Sequence, residues 1–130
     1  MKNKIRILIA DDHMLLRIGL TSFISGKDDL QCVGEADNGR TAVELTHKLK
    51  PDVIIMDLMM PEISGAEATK LIHGKLPKTR IVVLTSYGTS KELAEAIANG
   101  ASAALQHRHR QGFRHHGKGT ITTSPSIMVN

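Results

Sequence analysis

Short apolar runs alternate with amphipathic stretches along most of this chain. Five of the runs predict strands, at residues 5–10, 32–36, 53–57, 81–85 and, more weakly, 103–105. Their interiors are continuous in Ile, Val and Leu, which is typical of strands that are buried on both faces of a parallel sheet. The first, third and fourth runs are the most apolar, so we expect those strands at the centre of the sheet.

Apolar residues between these runs recur at helical spacing and predict four helices. The residues that carry the spacing are Leu16, Leu20, Phe23 and Ile24, then Ala42, Leu45 and Leu49, then Ala68, Leu71 and Ile72, then Leu93 and Ile97. Ser64 and Glu67 have the spacing of a capping box, which marks the start of the third helix. Thr89 and Glu92 mark the fourth in the same way, and Gly100 suits the left-handed position that often ends a helix.

Strands that alternate with helices form βαβ units, so the predicted fold is a doubly wound α/β sheet of five parallel strands. All strands of such a sheet point their carboxyl ends to one edge, and ligands bind in the crevice outside that edge. Residues that directly follow a strand are therefore the first candidates for a functional site.

The composition fits a single globular domain. Apolar residues make up 41% of the 130 residues and charged residues 23%, which argues against a disordered chain. The longest uninterrupted apolar runs span four residues, whereas a membrane helix needs about 20. The first run ends in two aspartates and not in a signal-peptide cleavage site, so we expect a cytoplasmic protein.

A net charge of +4 would suggest an anionic partner, but the excess lies in one segment. Residues 1–106 carry 13 basic and 13 acidic side chains and are neutral overall. Basic residues without any acidic ones follow, at Arg108, Arg110, Arg114 and Lys118. We therefore expect no direct binding of nucleic acid by this chain.

Carboxylates follow the first and third predicted strands. Asp11 and Asp12 end the first strand and Asp57 ends the third, so all three should meet at the carboxyl edge of the sheet. Clustered carboxylates repel each other unless a cation offsets them, and their hard oxygen atoms suit Mg²⁺ or Mn²⁺. Capping of the next helix or loop is the alternative role for Asp12 and Asp57. Thr85 and Ser86 bring hydroxyls to the same edge, or form a turn there.

Other reactive side chains have simple structural explanations. His13 directly follows the acid pair and could be a metal ligand or a phosphorelay histidine, but an exposed residue at a helix start is the simpler interpretation. Met59 and Met60 suit loop packing better than a soft-metal site, because oxygen ligands dominate this pocket. Cys32 is the single cysteine, so it forms no internal disulfide and is expected to pack as a small apolar residue.

Three motifs occur in the order and spacing of one family. They are Asp11-Asp12 after the first strand, Asp57-Leu58-Met59-Met60-Pro61 with Gly65 four residues on, and Thr85-Ser86 after the fourth strand. With them, residues 4 to about 105 closely resemble the receiver domain of two-component response regulators, most of all the subfamily with LuxR-type helix-turn-helix output. The resemblance implies a flavodoxin-like strand order 2-1-3-4-5. We expect a receiver domain over residues 1–105 and a basic, His-rich tail over residues 106–130.

The resemblance also implies a role for each residue of the site. Asp57 would accept a phosphoryl group from a histidine kinase or a small phosphodonor. Asp12, the Asp57 carboxylate and the backbone carbonyl of Met59 would ligate Mg²⁺, and Asp11 would help through its charge or a bound water. Thr85 would bond to the phosphoryl oxygens and pass the signal to a surface formed by about residues 85–105. Such a domain promotes its own phosphorylation and dephosphorylation and is not an enzyme that acts on a separate substrate.

Two positions depart from the family. Receivers usually carry a lysine shortly after the fifth strand, and His107 stands at that position. Ala104 stands where the family has a switch aromatic. A mostly neutral imidazole supplies less charge than an ammonium, so we expect weaker coupling between phosphate and the signalling surface.

The tail lacks the apolar stripe of a fifth helix. Phe113 is the one large apolar residue in 106–119, so we expect an absent or irregular fifth helix and a poorly ordered segment. The tail histidines suit either a transition-metal site or a disordered basic tail, and are His107, His109, His115 and His116. Residues 120–127 resemble the linker that leads to an output domain in the LuxR-type subfamily.

Without a fifth helix, part of one sheet face should stay open. We expect either self-association or a rearranged C-terminal segment to cover it. The apolar residues available in that segment are Ile121, Ile127, Met128 and Val129.

Three other functions share some of these features. An aspartyl-phosphate phosphatase needs a second acid two residues after the nucleophile, where Met59 stands. A pseudo-receiver keeps the fold and signals without phosphate, which Ala104 and His107 favour and the three carboxylates oppose. A flavodoxin-like nucleotide site needs a glycine-rich loop after the first strand, and the chain has Asp11 and its acidic neighbour there.

Overall fold

The computed structural model describes residues 3–85, 90–112 and 120–129, with side chains for residues 3–84 and 91–105. Its strands are β1 (Ile5–Ala10), β2 (Leu30–Ala36), β3 (Val53–Met56), β4 (Arg80–Thr85), β5 (Ala103–Gly112) and β6 (Thr120–Val129). Its helices are α1 (Met14–Ser25), α2 (Gly39–Leu49), α3 (Gly65–Lys75) and α4 (Ser90–Ala98). Every strand and helix predicted from the apolar pattern is therefore present. None of these helices has both the length and the apolar character that crossing a bilayer requires.

The first five strands form a parallel sheet in the order β2-β1-β3-β4-β5, which confirms the predicted fold class and topology. The most apolar strands, β1, β3 and β4, lie inside the sheet, as their sequences indicate. The β1–β3 register sets Ala10 opposite Met56. The residues that follow these two strands therefore emerge at the same level of the sheet edge.

Two apolar clusters lie on opposite faces of the sheet. The larger is covered by α2, α3 and α4, and its strand residues are Leu8, Ala10, Ala36, Ile54, Met56, Ile81, Val83 and Ala104. The smaller lies under α1 and has Ile7, Ile9 and Ile24 at its centre. Alternate residues of a strand face opposite sides, so a single run of apolar residues supplies both clusters.

The α1 face of the sheet is less completely covered than the opposite face, where Ile81 and Val83 of β4 are fully buried. Val82 and Leu84 of β4, which face this side, are only half-buried. On α1, Leu15 is 83% exposed and Ile18 is 52% exposed. The cover that α1 provides therefore leaves apolar side chains of β4 partly accessible.

Local signals at helix ends behave as predicted where the structure describes them. Ser64 Oγ accepts a hydrogen bond from the Glu67 backbone N–H at 3.2 Å and caps α3. Gly100 follows α4 with φ +115°, in the left-handed region that favours glycine. The Thr89–Glu92 signal begins outside the described residues.

The C-terminal part corrects three predictions. β5 does not stop at residue 105 but continues to Gly112, so residues 106–112 form a strand and are not irregular. The linker-like segment forms β6, which pairs antiparallel with β5 from Ala103↔Val129 to Gly112↔Thr120 and adds a sixth strand. The reason is that a strand at a sheet edge is held by its backbone partner and needs no apolar stripe of its own.

The absence of a fifth helix is confirmed over residues 103–112, which are strand. Residues 113–119 lie outside the described part of the chain. β5 runs through residue 105, and the division of the chain at that point stays a prediction.

Candidate functional site

The ends of β1 and β3 place two carboxylates side by side. The Asp11 backbone N–H donates to the Ala36 carbonyl at 2.9 Å, and the Asp57 N–H donates to the Ala10 carbonyl at 2.9 Å. The sheet ladder therefore extends one residue past each strand and fixes both backbones. Asp11 is 4% exposed and Asp57 is 5% exposed, whereas the Asp12 side chain is 34% exposed at the mouth of the pocket.

Four side chains converge in this acid pocket, which we define as Asp11, Asp12, His13 and Asp57. Each offers a ligand atom, and these atoms all lie within 4.8 Å of one another. The predicted convergence of the three aspartates is therefore present in the structure. His13 belongs to the same cluster, although the sequence favoured a purely structural role for it.

The His13 ring is 58% exposed, but its Nδ1 atom faces the carboxylates. Nδ1 lies 2.7 Å from Asp11 Oδ1, 3.2 Å from Asp12 Oδ1 and 3.7 Å from Asp57 Oδ2. The hydrogen bond with Asp11 and the nearby negative charges raise the pKa of His13 above 6.5. Its direct position after the acid pair was the only signal in the sequence, and it did not reveal the ring orientation.

Burial raises the pKa of Asp57 to about 6, and the neighbouring Asp11 carboxylate adds to the rise. The Met59 backbone N–H opposes it by donating to Asp57 Oδ1 at 3.3 Å. An aspartate with such a pKa carries a charge that its surroundings do not fully compensate.

The pocket residues fit a hard divalent cation. Two buried carboxylates and one at the pocket mouth supply oxygen ligands. Burial and the Asp11 carboxylate raise the pKa of Asp57, so a cation in the pocket would favour its ionised form. The Met59 backbone lies against Asp57, as its N–H bond shows, and the predicted use of its carbonyl as a ligand stays a prediction.

Two glycines, Gly39 and Gly65, allow neighbouring backbone segments to pack closely around the loop between β3 and α3. A Cβ atom on Gly65 would lie 2.2 Å from the Asp57 carbonyl oxygen, and the Gly65 N–H donates to the Leu58 carbonyl at 2.8 Å. A Cβ atom on Gly39 would lie 1.9 Å from the Ile63 carbonyl oxygen. Gly65 belongs to the motif that the sequence singled out, whereas Gly39 was missed because its contact joins two distant parts of the chain.

The remaining predicted site residues are described only by their backbones. Thr85 is the last residue of β4 and pairs with Gln106 of β5. His107 lies on β5 opposite Pro125 of β6. Their side chains, and all of Ser86, lie outside what the structure describes, so their roles stay predictions.

Comparisons of this chain with known proteins agree on one family. The family model described as the response regulator receiver domain matches residues 7–111. Response regulator protein VraR of Staphylococcus saprophyticus is 41% identical over 101 residues, which is 78% of this chain and 48% of that protein. The chain thus spans about half the length of the curated relatives it matches.

Solved structures agree with this result. The signal receiver domain of the response regulator NarL from Mycobacterium tuberculosis has a TM-score of 0.76 at 31% identity, over 80% of this chain and 84% of that one. A DNA-binding response regulator of the LuxR family from Staphylococcus aureus has a TM-score of 0.73 at 26% identity, over 78% and 84% of the two chains.

Proposed function

The chain belongs to the response regulator receiver domain family, and from this premise we propose that it accepts a phosphoryl group on Asp57 as the input step of two-component signalling. The observation that carries this proposal is the buried Asp57 carboxylate beside Asp11, at the carboxyl edge of the sheet. A carboxylate there is close to other acidic groups, sheltered from water and reachable from the pocket mouth.

The two oxygens of Asp57 have different surroundings. Oδ1 accepts the Met59 N–H, while Oδ2 is the oxygen that faces His13 at 3.7 Å. We assign Oδ2 as the nucleophile that forms the new bond to phosphorus while the bond from phosphorus to the donor breaks. The Met59 N–H holds the Asp57 carboxylate in position. Positioning of the reacting groups, together with electrostatic stabilisation, supplies most of the catalysis in phosphoryl transfer.

A bound Mg²⁺ or Mn²⁺ ion would neutralise charge on the phosphoryl oxygens. We assign its ligands to Asp12, the Asp57 carboxylate and the Met59 carbonyl, with Asp11 acting through its charge or a bound water. This assignment is supported by the convergence of the carboxylates and by the raised pKa of Asp57.

For the signalling step, we propose that the Thr85 hydroxyl bonds to the phosphoryl oxygens. His107 would take the place of the lysine that the family usually has. The donor would be a histidine kinase or a small phosphodonor in the cytoplasm. Transcriptional regulation through a LuxR-type output domain is supported by the likeness to a LuxR-family DNA-binding response regulator. It is also supported by the VraR relatives, of which the matched segment covers only 48%.

The test is incubation with a small acyl phosphate and Mg²⁺, followed by intact-mass and peptide mass spectrometry. We expect one phosphoryl adduct, on Asp57, that disappears in Asp57→Asn and persists in Asp28→Asn, a matched change at an exposed aspartate. An adduct that persists in Asp57→Asn or maps to His13 would contradict the assignment. No adduct in the unchanged protein would favour a pseudo-receiver instead.

A further inference from the structure

The acid pocket contains one nitrogen ligand that the proposed function does not use. His13 Nδ1 approaches oxygens of all three pocket aspartates, at 2.7, 3.2 and 3.7 Å. We propose that His13 is a metal ligand that makes this pocket prefer a transition-metal cation of the cobalt or zinc type over Mg²⁺. The proposal rests on the metal site of the proposed function and adds the residue that sets its selectivity.

The backbone holds the His13 ring towards the pocket. His13 occupies the N-cap position of α1 with an extended backbone, yet its side chain makes no capping hydrogen bond. Its backbone N–H instead donates to Asp11 Oδ1 at 2.8 Å, the same oxygen that Nδ1 approaches. The helix start therefore explains the place of the residue but not the direction of its ring.

The neighbouring cationic side chain, Arg17, does not occupy the position of the His13 ring. Arg17, one turn further along α1, donates to the Asp11 carbonyl at 2.7 Å and to Glu35 Oε1 at 3.3 Å. Its guanidinium is thus held by a backbone carbonyl and a carboxylate outside the pocket. Among the side chains that the structure describes, residues 3–84 and 91–105, His13 is the nitrogen-bearing one that lies against the pocket carboxylates.

The spacing of the donor atoms suits one ion. The four ligand atoms lie within 4.8 Å of one another. Opposite ligands of a single transition-metal ion are separated by roughly 4 Å, because each lies about 2 Å from the metal. Asp12 and His13 are the exposed members of the set, so they have room for the small rotations that closure requires.

The donor set decides between cations. Imidazole nitrogen is a good ligand for Co²⁺ and Zn²⁺, whereas Mg²⁺ prefers oxygen ligands and keeps several waters. Carboxylates accept both classes of ion. His13 should therefore strengthen the binding of Co²⁺ or Zn²⁺, whereas Mg²⁺ gains no favourable ligand from it.

Histidines of the C-terminal segment need to be removed from the measurement, because they can bind the same ions. The background protein for the test therefore carries glutamine in place of four histidines, at positions His107, His109, His115 and His116. Circular dichroism melts establish that this background and its variants are folded.

Calorimetry with the metal alone, Co²⁺ or Mg²⁺, then measures both affinities. We expect His13→Ala to lower Co²⁺ affinity by about tenfold or more and to leave Mg²⁺ affinity equal or higher. The visible spectrum of bound Co²⁺ should change with the loss of the nitrogen ligand. Met14→Ala, at the exposed next residue, is the matched control and should change neither affinity.

Equal Co²⁺ affinity in His13→Ala and Met14→Ala would overturn the proposal, as would an unchanged ratio of Co²⁺ to Mg²⁺ affinity. Asp57 phosphorylation, measured in the protein that keeps its C-terminal histidines and in its His13→Ala variant, separates this failure from that of the proposed function. Normal phosphorylation without a His13 effect overturns only the role of His13. A His13 effect on Co²⁺ without any phosphorylation overturns the proposed function and supports the metal ligand.

Discussion

At the scale of single residues, the acid pocket contains an unfavourable electrostatic interaction. Asp57 is buried, and the Asp11 carboxylate lies beside it, so ionisation of Asp57 is less favourable in the folded chain than in the unfolded one. The His13 ring relieves part of this cost when it is protonated. The pocket is therefore poised for a cation, and pH should change the stability of the metal-free protein.

The Asp57→Asn variant should stabilise the metal-free protein at pH 8. The folded pKa of Asp57, about 6, lies above its ordinary value of 3.8. For a fully buried carboxylate this difference corresponds to a destabilisation of the folded chain by about 3 kcal/mol. Solvent at the pocket mouth screens this to about 1–2 kcal/mol. The cost is present above the folded pKa and disappears as Asp57 protonates between about pH 6 and pH 4.

Urea denaturation in the presence of a chelator, at pH 8 and pH 5, measures this difference. The gain from Asp57→Asn should be clearly smaller at pH 5. His13 acts in the same direction: its raised pKa contributes stability below 6.5 that is lost as the pH rises through its folded pKa. A variant that is less stable than the parent at pH 8 would contradict the predicted cost.

The Gly65→Ala variant should lose stability and phosphorylation together. Its Cβ atom would meet the Asp57 carbonyl oxygen at 2.2 Å, so the backbone that carries the phosphoacceptor has to move. We expect a loss of about 2 kcal/mol or more and slower formation of the Asp57 adduct.

Gly74→Ala is the matched control for this change. Gly74 lies in the same helix with no atom within 4 Å of the added Cβ. Alanine there should raise stability by up to about 1 kcal/mol through its better helix propensity. Thermal melts and adduct kinetics measure both variants, and equal effects at the two positions would rule out the contact as the cause.

At the scale of elements, the two faces of the sheet differ in cover. Three helices pack on the face of Leu8, whereas α1 alone packs on the other and leaves Leu15 and Ile18 exposed. Stability should therefore depend on the first face far more than on the outer surface of α1. Self-association through the open face stays a prediction.

Leu8→Ala should cost about 3 kcal/mol, because it removes a fully buried side chain and leaves a cavity under the helix layer. Leu15→Ala makes the same chemical change at a position that is 83% exposed, and should cost less than about 0.5 kcal/mol. Urea denaturation midpoints at constant m-value provide the comparison. Similar losses in the two variants would mean that Leu15 is covered in solution.

At the scale of the whole molecule, the acid pocket joins the ends of two central strands. A cation bound there would stabilise only the folded chain, since the carboxylates of Asp11 and Asp57 are far apart in the unfolded one. The parts of the sheet that meet at this edge would then melt together with the metal site.

Millimolar Mg²⁺ should raise the melting temperature, with a gain of about 2.7 kcal/mol once the ion reaches a hundred times its dissociation constant. Asp12→Ala should remove most of this response, because the exposed mouth ligand is lost while both buried carboxylates stay. Asp28→Ala, at an exposed turn, should leave it unchanged. A melting temperature that does not change with Mg²⁺ would show that the ion does not bind. The same Mg²⁺-dependent rise in Asp12→Ala as in the parent would show that the ion binds elsewhere.

The sequence by itself determined the four helices, the first five strands with their order in the sheet, and the meeting of Asp11, Asp12 and Asp57. These features depend on local periodicity, on the family motifs and on the rule that parallel strands share a carboxyl edge. The sequence also predicted an absent or irregular fifth helix, since an apolar stripe is a local property that Phe113 alone cannot supply.

Only the tertiary structure decided the features that depend on distant contacts. The direction of the His13 ring follows from carboxylates on two strands, and the need for glycine at Gly39 follows from a loop that lies far along the chain. The length of β5 follows from its pairing with β6. Backbone pairing and close approach between remote segments leave no periodic mark in the sequence, because they arise only when those segments meet.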